Sequence, residues 1–395
     1  MNDPAAAVLE RARALVEDRK LSTVTRWKES HPGALAIGHM PVYVPRPLLE
    51  AIGCMPVALF GGGDAIDIIR GDSYFQSYIC HIPRSTVELA LLGDLSPIDG
   101  VLFPSICDVI RNLGGMWRML FPEKYATYVD LPQSFEPDIG GAFYVLEMRR
   151  IARELAERGA RPLDPARLGE AILRENERRA AIAELDALRR EASWRCRASE
   201  AYLLVRAGGV LETREHTALI HEFLACARRR SGRPVDNVRV VLVGSFCEQP
   251  PLELVRALEK SGCEIIDDDF QLGMRMIDGP IEIADGEDPL VALSRAYLEK
   301  GRDTASRYIG DLVKGAGLVR RVRESQADGV LFAAASFCDP ALLDQPMLEA
   351  ALTKAGVPHT SFKFSENMGQ FSVIREQAGA FSDAVKLWGA EGAAP

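Results

Sequence analysis

Three cysteines in this sequence each stand just ahead of a run that reads as a helix, a setting in which a thiol can serve as a metal-binding thiolate. Cys80 precedes His81-Ile-Pro-Arg-Ser85 and an apolar helical stretch, with Pro83 where a helix's first turn accepts proline. Cys107 lies in Ser105-Ile-Cys-Asp108 and Cys338 in Ser336-Phe-Cys-Asp339, each a few residues past a short apolar strand. At a helix start, unpaired backbone N–H groups and the helix dipole favour negative charge and so lower the cost of a thiolate. No Cys-x-x-Cys pair occurs, which disfavours a zinc ribbon or a thioredoxin-type dithiol. Separated cysteines that converge on one cleft remain compatible with an iron–sulfur cluster.

Packing is the competing explanation, because a free cysteine more often acts as a small buried hydrophobe. It is the preferred one for Cys54 and Cys263, each beside a glycine ahead of a strand, and for Cys196 and Cys226 in a charged helical stretch. Cys247, in a loop after a second-half strand, is an outside candidate for the site.

A duplicated frame must position the three cysteines. Asp99-Gly-Val-Leu-Phe-Pro-Ser-Ile-Cys-Asp108 and Asp328-Gly-Val-Leu-Phe-Ala-Ala-Ala-Ser-Phe-Cys-Asp339 share an Asp-Gly turn, an apolar strand and Ser-x-Cys-Asp. Upstream, Ala34 to Gly38 and Val238 to Gly244 each read as a strand ending in glycine. A Pro-Leu-containing helix follows (Pro47, Leu48; Pro251, Leu252), then Gly-Cys (Gly53, Cys54; Gly262, Cys263) before another strand. Short apolar strands alternating with helices predict parallel sheets covered on both faces. The expected fold is therefore α/β: two similar Rossmann-like (flavodoxin-like) units, residues 1–140 with Cys80 and Cys107 and residues 236–395 with Cys338. Between them, residues 141–235 are rich in Glu and Arg at spacings of three and four, which predicts long solvent-facing connecting helices. In such sheets ligands sit beyond the carboxyl ends of the strands, where these cysteines fall.

Composition narrows the function. At 395 residues, 47% hydrophobic and 26% charged, the chain is an ordinary globular protein long enough for two domains. Its net charge of −9 gives no basic surplus for a phosphate backbone, so nucleic acid is not expected as a partner. Met1 to Lys20 reads as a charged amphipathic helix without an apolar leader core, and no stretch reaches the length of a membrane span. A cytoplasmic location without membrane contact is expected. There, eight cysteines are not a disulfide framework. Gly61-Gly-Gly-Asp64 lacks the Lys-Ser/Thr of a phosphate-binding loop and reads as a turn after a strand.

At these residues the chain resembles the 2-hydroxyacyl-CoA dehydratase family, which includes the paired cluster-bearing subunits of ATP-dependent benzoyl-CoA reductase. The likeness spans nearly the whole chain: Gly38 to Phe60 with Tyr43-Val-Pro45, Cys80 with Arg84-Ser85, Ser105-Ile-Cys107-Asp108, Phe337-Cys338-Asp339-Pro340, and Gly369-Gln370 followed by Arg375-Glu376. The chain departs from the pattern at His39, at Arg46, where the family carries an acidic residue, and at His81-Ile-Pro83 after Cys80.

The resemblance implies one 4Fe-4S cluster per chain on Cys80, Cys107 and Cys338, with the fourth iron open to a non-cysteine ligand or to substrate. It further implies an oxidoreductase subunit of the smaller benzoyl-CoA reductase type, passing single electrons to an aromatic acyl-CoA to give a cyclic dienoyl-CoA. Its partners would be a homologous cluster-bearing subunit, ATP-hydrolysing subunits that alone use ATP, and reduced ferredoxin upstream. Two other functions fit the same motifs: a component of a 2-hydroxyacyl-CoA dehydratase, and a non-catalytic electron relay paired with a catalytic paralogue. His39 and His81 are candidate proton donors, since imidazole transfers protons near neutral pH. Arg84 is a candidate for the phosphates of CoA, with a helix-start salt bridge as its alternative role.

Overall fold

In each half of the chain the apolar runs pair with one another, as the alternation of strand and helix predicts. The computed structural model describes residues 3–40, 42–63, 66–244, 250–270, 276–305, 313–365 and 371–389. Strands β1 (Ala36–His39), β2 (Met55–Ala58), β3 (Gly100–Pro104) and β4 (Tyr125–Val129) form an all-parallel sheet of order β2-β1-β3-β4. Strands β5 (Val238–Val243), β6 (Cys263–Asp268), β7 (Gly329–Ala335) and β8 (His359–Phe364) repeat that layout as β6-β5-β7-β8. Every residue of β1, β2, β3 and β7 is buried, which is why these strands read as continuous apolar runs rather than alternating ones. The order is that of the first four strands of a flavodoxin-like sheet, with its switch point between β1 and β3 and again between β5 and β7.

The repeated Asp-Gly turn does the same work twice. Asp99 Oδ2 accepts the Ala36 N–H at 2.8 Å, and the Asp99 N–H donates to the Ala36 carbonyl at 2.8 Å. Asp328 makes the same exchange with Arg239, at 2.8 and 2.7 Å. Each Asp, one residue ahead of its own strand, thus ties that strand's start to the beginning of the neighbouring strand. The glycine that follows is required by close approach: a Cβ on Gly100 would stand 2.9 Å from the Tyr125 carbonyl, and one on Gly329 2.9 Å from that of Pro358. At the other end, the Ser105 N–H donates to the Val129 carbonyl at 3.0 Å and the Ser336 N–H to that of Phe364 at 2.7 Å. Two residues beyond each serine stands its cysteine, so Cys107 and Cys338 leave equivalent places in equivalent sheets. The second strand absorbs its two extra alanines by running seven residues instead of five.

Helices α1 (Ala6–Glu17) and α2 (Ser22–Ser30) precede β1, and α3 (Arg46–Ala51), α4 (His81–Leu91) and α5 (Asp108–Leu120) fill the connections of the first half. Between the halves come α6 (Ala142–Ala156), α7 (Pro165–Glu191), α8 (Ala198–Ala207) and α9 (Thr213–Ala227). Helix α7 starts where its sequence says it should: Pro165 takes the first position and the Asp164 carboxylate accepts the N–H groups of Ala166 and Arg167 at 2.8 and 3.1 Å. The second half adds α10 (Leu252–Glu259), α11 (Pro289–Lys300), α12 (Ala316–Ser325), α13 (Asp339–Lys354) and α14 (Phe371–Gly389).

One core runs through both sheets, with Ile37, Val101 and Phe103 from the first and Val240, Leu242 and Leu331 from the second. A second core joins the N-terminal helix α1 (Ala6–Glu17), through Val8 and Ala12, to Leu185 of α7, Leu204 of α8 and Phe223 of α9.

The charged middle segment differs from the solvent-facing expectation, because α7 turns part of its charge inward. Arg178 and Arg189 are fully buried, with Arg178 bound to Glu175 at 2.8 Å and Arg189 paired with Asp268 of β6. Arg46 is buried nearby, donating to the Leu211 carbonyl at 3.1 Å and facing Glu50 at 3.8 Å. A spacing of three or four looks the same on a solvated face and in a buried ion pair, so the sequence pattern did not distinguish them. No helix among the described residues is long and apolar enough to cross a membrane.

Candidate metal centre

Each of the three candidate cysteines is the residue that caps a helix at the carboxyl edge of a sheet. Cys80 caps α4, Cys107 caps α5 and Cys338 caps α13. Helices α4 and α5 touch, which brings the Cys80 and Cys107 arms to the same edge of the first sheet. Cys80 and Cys338 are buried, whereas Cys107 is half-buried.

Electrostatics link the two halves. Burial pushes the Cys107 thiol up, the backbone N–H groups of Ile110 and Val109 pull it down, and the nearby Cys338 and Asp339 push it up again. The cysteines supplied by matching loops of the two units therefore lie within each other's field. Among the described residues no three His, Cys, Asp or Glu side chains are gathered tightly enough to grip a single metal ion. A four-iron cluster asks for something different, since its thiolates sit around a cube rather than around one ion. Cys107 and Cys338, each within the other's field, meet that demand as a pair. A bare thiolate here is opposed by burial, a second thiol and a carboxylate, a bound cationic group reverses the balance, and the two amides are already turned toward sulfur charge.

The other cysteines lie elsewhere. Cys54 directly precedes β2 and Cys263 opens β6, so both sit at the amino edges of their sheets, away from the ligand edge. Burial raises the Cys54 thiol to about 12. Cys196 is buried, and Cys226 is half-buried with the Arg229 guanidinium 3.3 Å from its sulfur. Cys247 lies outside the described residues, as do Asp64, Gly369 and Gln370.

His39 is the last residue of β1, beside Leu102 of β3 at the switch point. Burial, with the Arg46 guanidinium acting in the same direction, brings its imidazole down to about 4. It is neutral at pH 7, and Nδ1 donates to the Met40 carbonyl at 2.8 Å. That tautomer leaves Nε2 as a buried acceptor with no donor among the described residues. His81 is the first residue of α4, next to Cys80 and buried. Arg84, one turn further on, is paired with Asp72 at 2.7 Å. Gly61 and Gly63 follow β2 with φ of +74° and +53°, left-handed backbone suited to a turn.

Two features were not anticipated. Glu88, buried in α4, accepts three consecutive backbone N–H groups from the segment ahead of Cys80, and its only trace in the sequence is an acid inside the apolar run Val87 to Leu92. A cavity of about 410 Å³ opens at the carboxyl edge of the second sheet, lined by Val243, Gly244, Thr304, Lys314, Arg321 and Ala341 among others. Ala341 lies in the first turn of the helix that Cys338 caps.

Comparison with known proteins places this geometry among related chains. The model of the family described as 2-hydroxyglutaryl-CoA dehydratase, D-component, matches residues 41–385. The chain is 44% identical to a benzoyl-CoA reductase subunit of Thauera aromatica, over 97% of this chain and 99% of that one. It is 23% identical to the (R)-phenyllactyl-CoA dehydratase beta subunit of Clostridium sporogenes and 25% identical to the beta subunit of lactoyl-CoA dehydratase of Anaerotignum propionicum. In both cases the match covers 89% of this chain and 92% of the relative.

Proposed function

Because the chain belongs to the 2-hydroxyglutaryl-CoA dehydratase D-component family, we propose that it is the smaller cluster-bearing subunit of an ATP-dependent benzoyl-CoA reductase. The observation that carries this choice within the family is the 44% identity over 97% of the chain to a reductase subunit, against 23% and 25% to dehydratase subunits. In this reading the chain is organised as residues 1–140, 141–235 and 236–395, and works in the cytoplasm.

Cys80, Cys107 and Cys338 are the proposed ligands of a 4Fe-4S cluster, which when bound supplies single electrons at a potential no side chain reaches. The chain's own residues do the rest. Cys107 and Cys338 close the site from the two halves, and the amides of Val109 and Ile110 stabilise charge on the Cys107 sulfur. His39, neutral and bound through Nδ1, offers Nε2 as a proton acceptor, and His81 stands beside Cys80 as the proposed proton donor. Arg84 would have to leave Asp72 to meet a CoA phosphate.

The sequence carries no phosphate-binding loop of the Gly-rich Lys-Ser/Thr type, so ATP is assigned to partner subunits fed by reduced ferredoxin, and a homologous cluster-bearing chain makes up the rest of the assembly. The test is anaerobic co-expression with the paralogous subunit and the ATP-hydrolysing partner, followed by assay with reduced ferredoxin and ATP. Conversion of benzoyl-CoA to a cyclic dienoyl-CoA is the expected result. Loss of water from a 2-hydroxyacyl-CoA instead would move the chain to the dehydratase branch, and turnover by the isolated chain would overturn the proposed division of labour.

A further inference from the structure

Cys80 differs from the other two candidate ligands in how it reaches the site. Cys107 and Cys338 follow their strands within a few residues, whereas Cys80 comes at the end of a long segment that leaves β2 at Ala58. Part of that segment, residues 66–79, is folded back along α4, the helix that Cys80 caps. Its anchor is a single carboxylate oxygen: Glu88 Oε2 accepts the N–H groups of Ile69, Arg70 and Gly71 at 3.0, 2.6 and 2.7 Å. Glu88 is 3% exposed, and such charge-assisted bonds in a dry setting are strong.

Two further ties lie between that anchor and the cysteine. Asp72 pairs with Arg84 at 2.7 Å. Gly71 lies so close to the helix that a Cβ would stand 2.3 Å from the Arg84 carbonyl, so only glycine fits there. With about 1.5 Å of rise per residue, Glu88 lies roughly 12 Å and Arg84 roughly 6 Å along the helix from Cys80. The strap is therefore pinned at two levels before its last turn, where the Ile79 N–H donates to the Gln76 carbonyl at 3.3 Å and delivers the cysteine. It turns Ile66 and Phe75 toward the core and exposes Ile69, Tyr74 and Tyr78, so apolar burial and the polar ties hold it together.

We propose that Glu88 is the positioning residue for Cys80: by gathering three amides of the 66–79 strap onto α4, it fixes where the Cys80 sulfur is presented and so sets how firmly the cluster's iron is retained. The proposal rests on the reading of Cys80 as a cluster ligand. It also gives Arg84 a structural task, as the second pin of the same strap.

Two readouts on the full chain test it, hydrogen exchange of the strap amides in the apo protein and release of iron to a chelator from the anaerobically reconstituted protein. In Glu88→Ala the amides of residues 69–71 should exchange about tenfold faster or more, with iron released faster by a similar factor. Glu88→Gln, which keeps an acceptor oxygen, should restore most of both. Val87→Ala, a buried change on the same helix, should lower the melting temperature while leaving both readouts near wild type. Unchanged exchange in Glu88→Ala, or a freed strap with unchanged iron release, overturns the proposal. If the wild-type chain takes up no iron, the ligand reading itself has failed, and the exchange arm still reports separately whether Glu88 holds the strap.

Discussion

Lowering the pH should destabilise this protein through His39, and the size of the effect follows from its surroundings. In the unfolded chain the imidazole titrates near its ordinary 6.5, whereas in the folded chain burial and Arg46 bring it to about 4. Between these values the unfolded state binds a proton that the folded state refuses. Stability from this group is complete above pH 6.5 and is lost as pH falls toward 4. From pH 7 to pH 5 the loss is about 2 kcal/mol, taking 1.36 kcal/mol per pH unit over the window in which only the unfolded imidazole is protonated. His216, buried with its imidazole well below 6.5, adds a dependence of the same sign. The informative comparison is therefore between wild type and His39→Asn, which keeps a donor for the Met40 carbonyl and does not titrate. Urea unfolding of the apo chain at pH 5, 6, 7 and 8 under reducing conditions should show the wild-type midpoint falling further than that of the variant. With an m-value of about 3 kcal/mol/M the extra fall is roughly 0.6 M. Parallel midpoints would refute the description of His39 as a neutral buried imidazole, and with it the assignment of Nε2 as an acceptor.

Arg189→Met should cost about 3–5 kcal/mol by removing the guanidinium that is paired with the buried Asp268 carboxylate, and Asp268→Asn in the same chain should recover part of that, as read by denaturant unfolding. Gly100→Ala should destabilise by about 1–3 kcal/mol, because the new methyl meets the backbone and Cβ of Tyr125 on the paired strand. Cys54→Ala and Cys263→Ala should each cost about 1–2 kcal/mol of stability while leaving iron content unchanged, since both lie at the amino edges of their sheets.

The duplication was legible because both copies kept the residues that geometry demands. Asp99 and Asp328 survive as strand-to-strand ties, and Gly100 and Gly329 because the neighbouring backbone passes too close for a side chain. The alternation of short apolar strands with helices then gave the parallel sheets, and the position of Cys107 and Cys338 after their strands gave the edge on which they lie. Less could be read where side-chain partners come from distant segments. The inward charges of α7 look like a solvated face until Arg189 meets Asp268, and Glu88 looks like a surface acid until three amides of another segment converge on it. His39 was legible as a candidate proton donor, but its place at the switch point and its protonation state depend on the fold, on burial and on Arg46, which spacing does not encode. The folding back of the N-terminal helix onto α8 and α9 is of the same kind, since an amphipathic helix states that it needs a partner without naming it.

The central claim is that Cys80, Cys107 and Cys338 converge from the two halves of a duplicated fold to hold one cluster. Its most direct test is iron content and the electron-paramagnetic signal of the anaerobically reconstituted full chain, compared with Cys107→Ala and Cys338→Ala. The account predicts about four irons per wild-type chain and loss of both iron and signal in each variant. Retention of the cluster after removal of either Cys107 or Cys338 would contradict it.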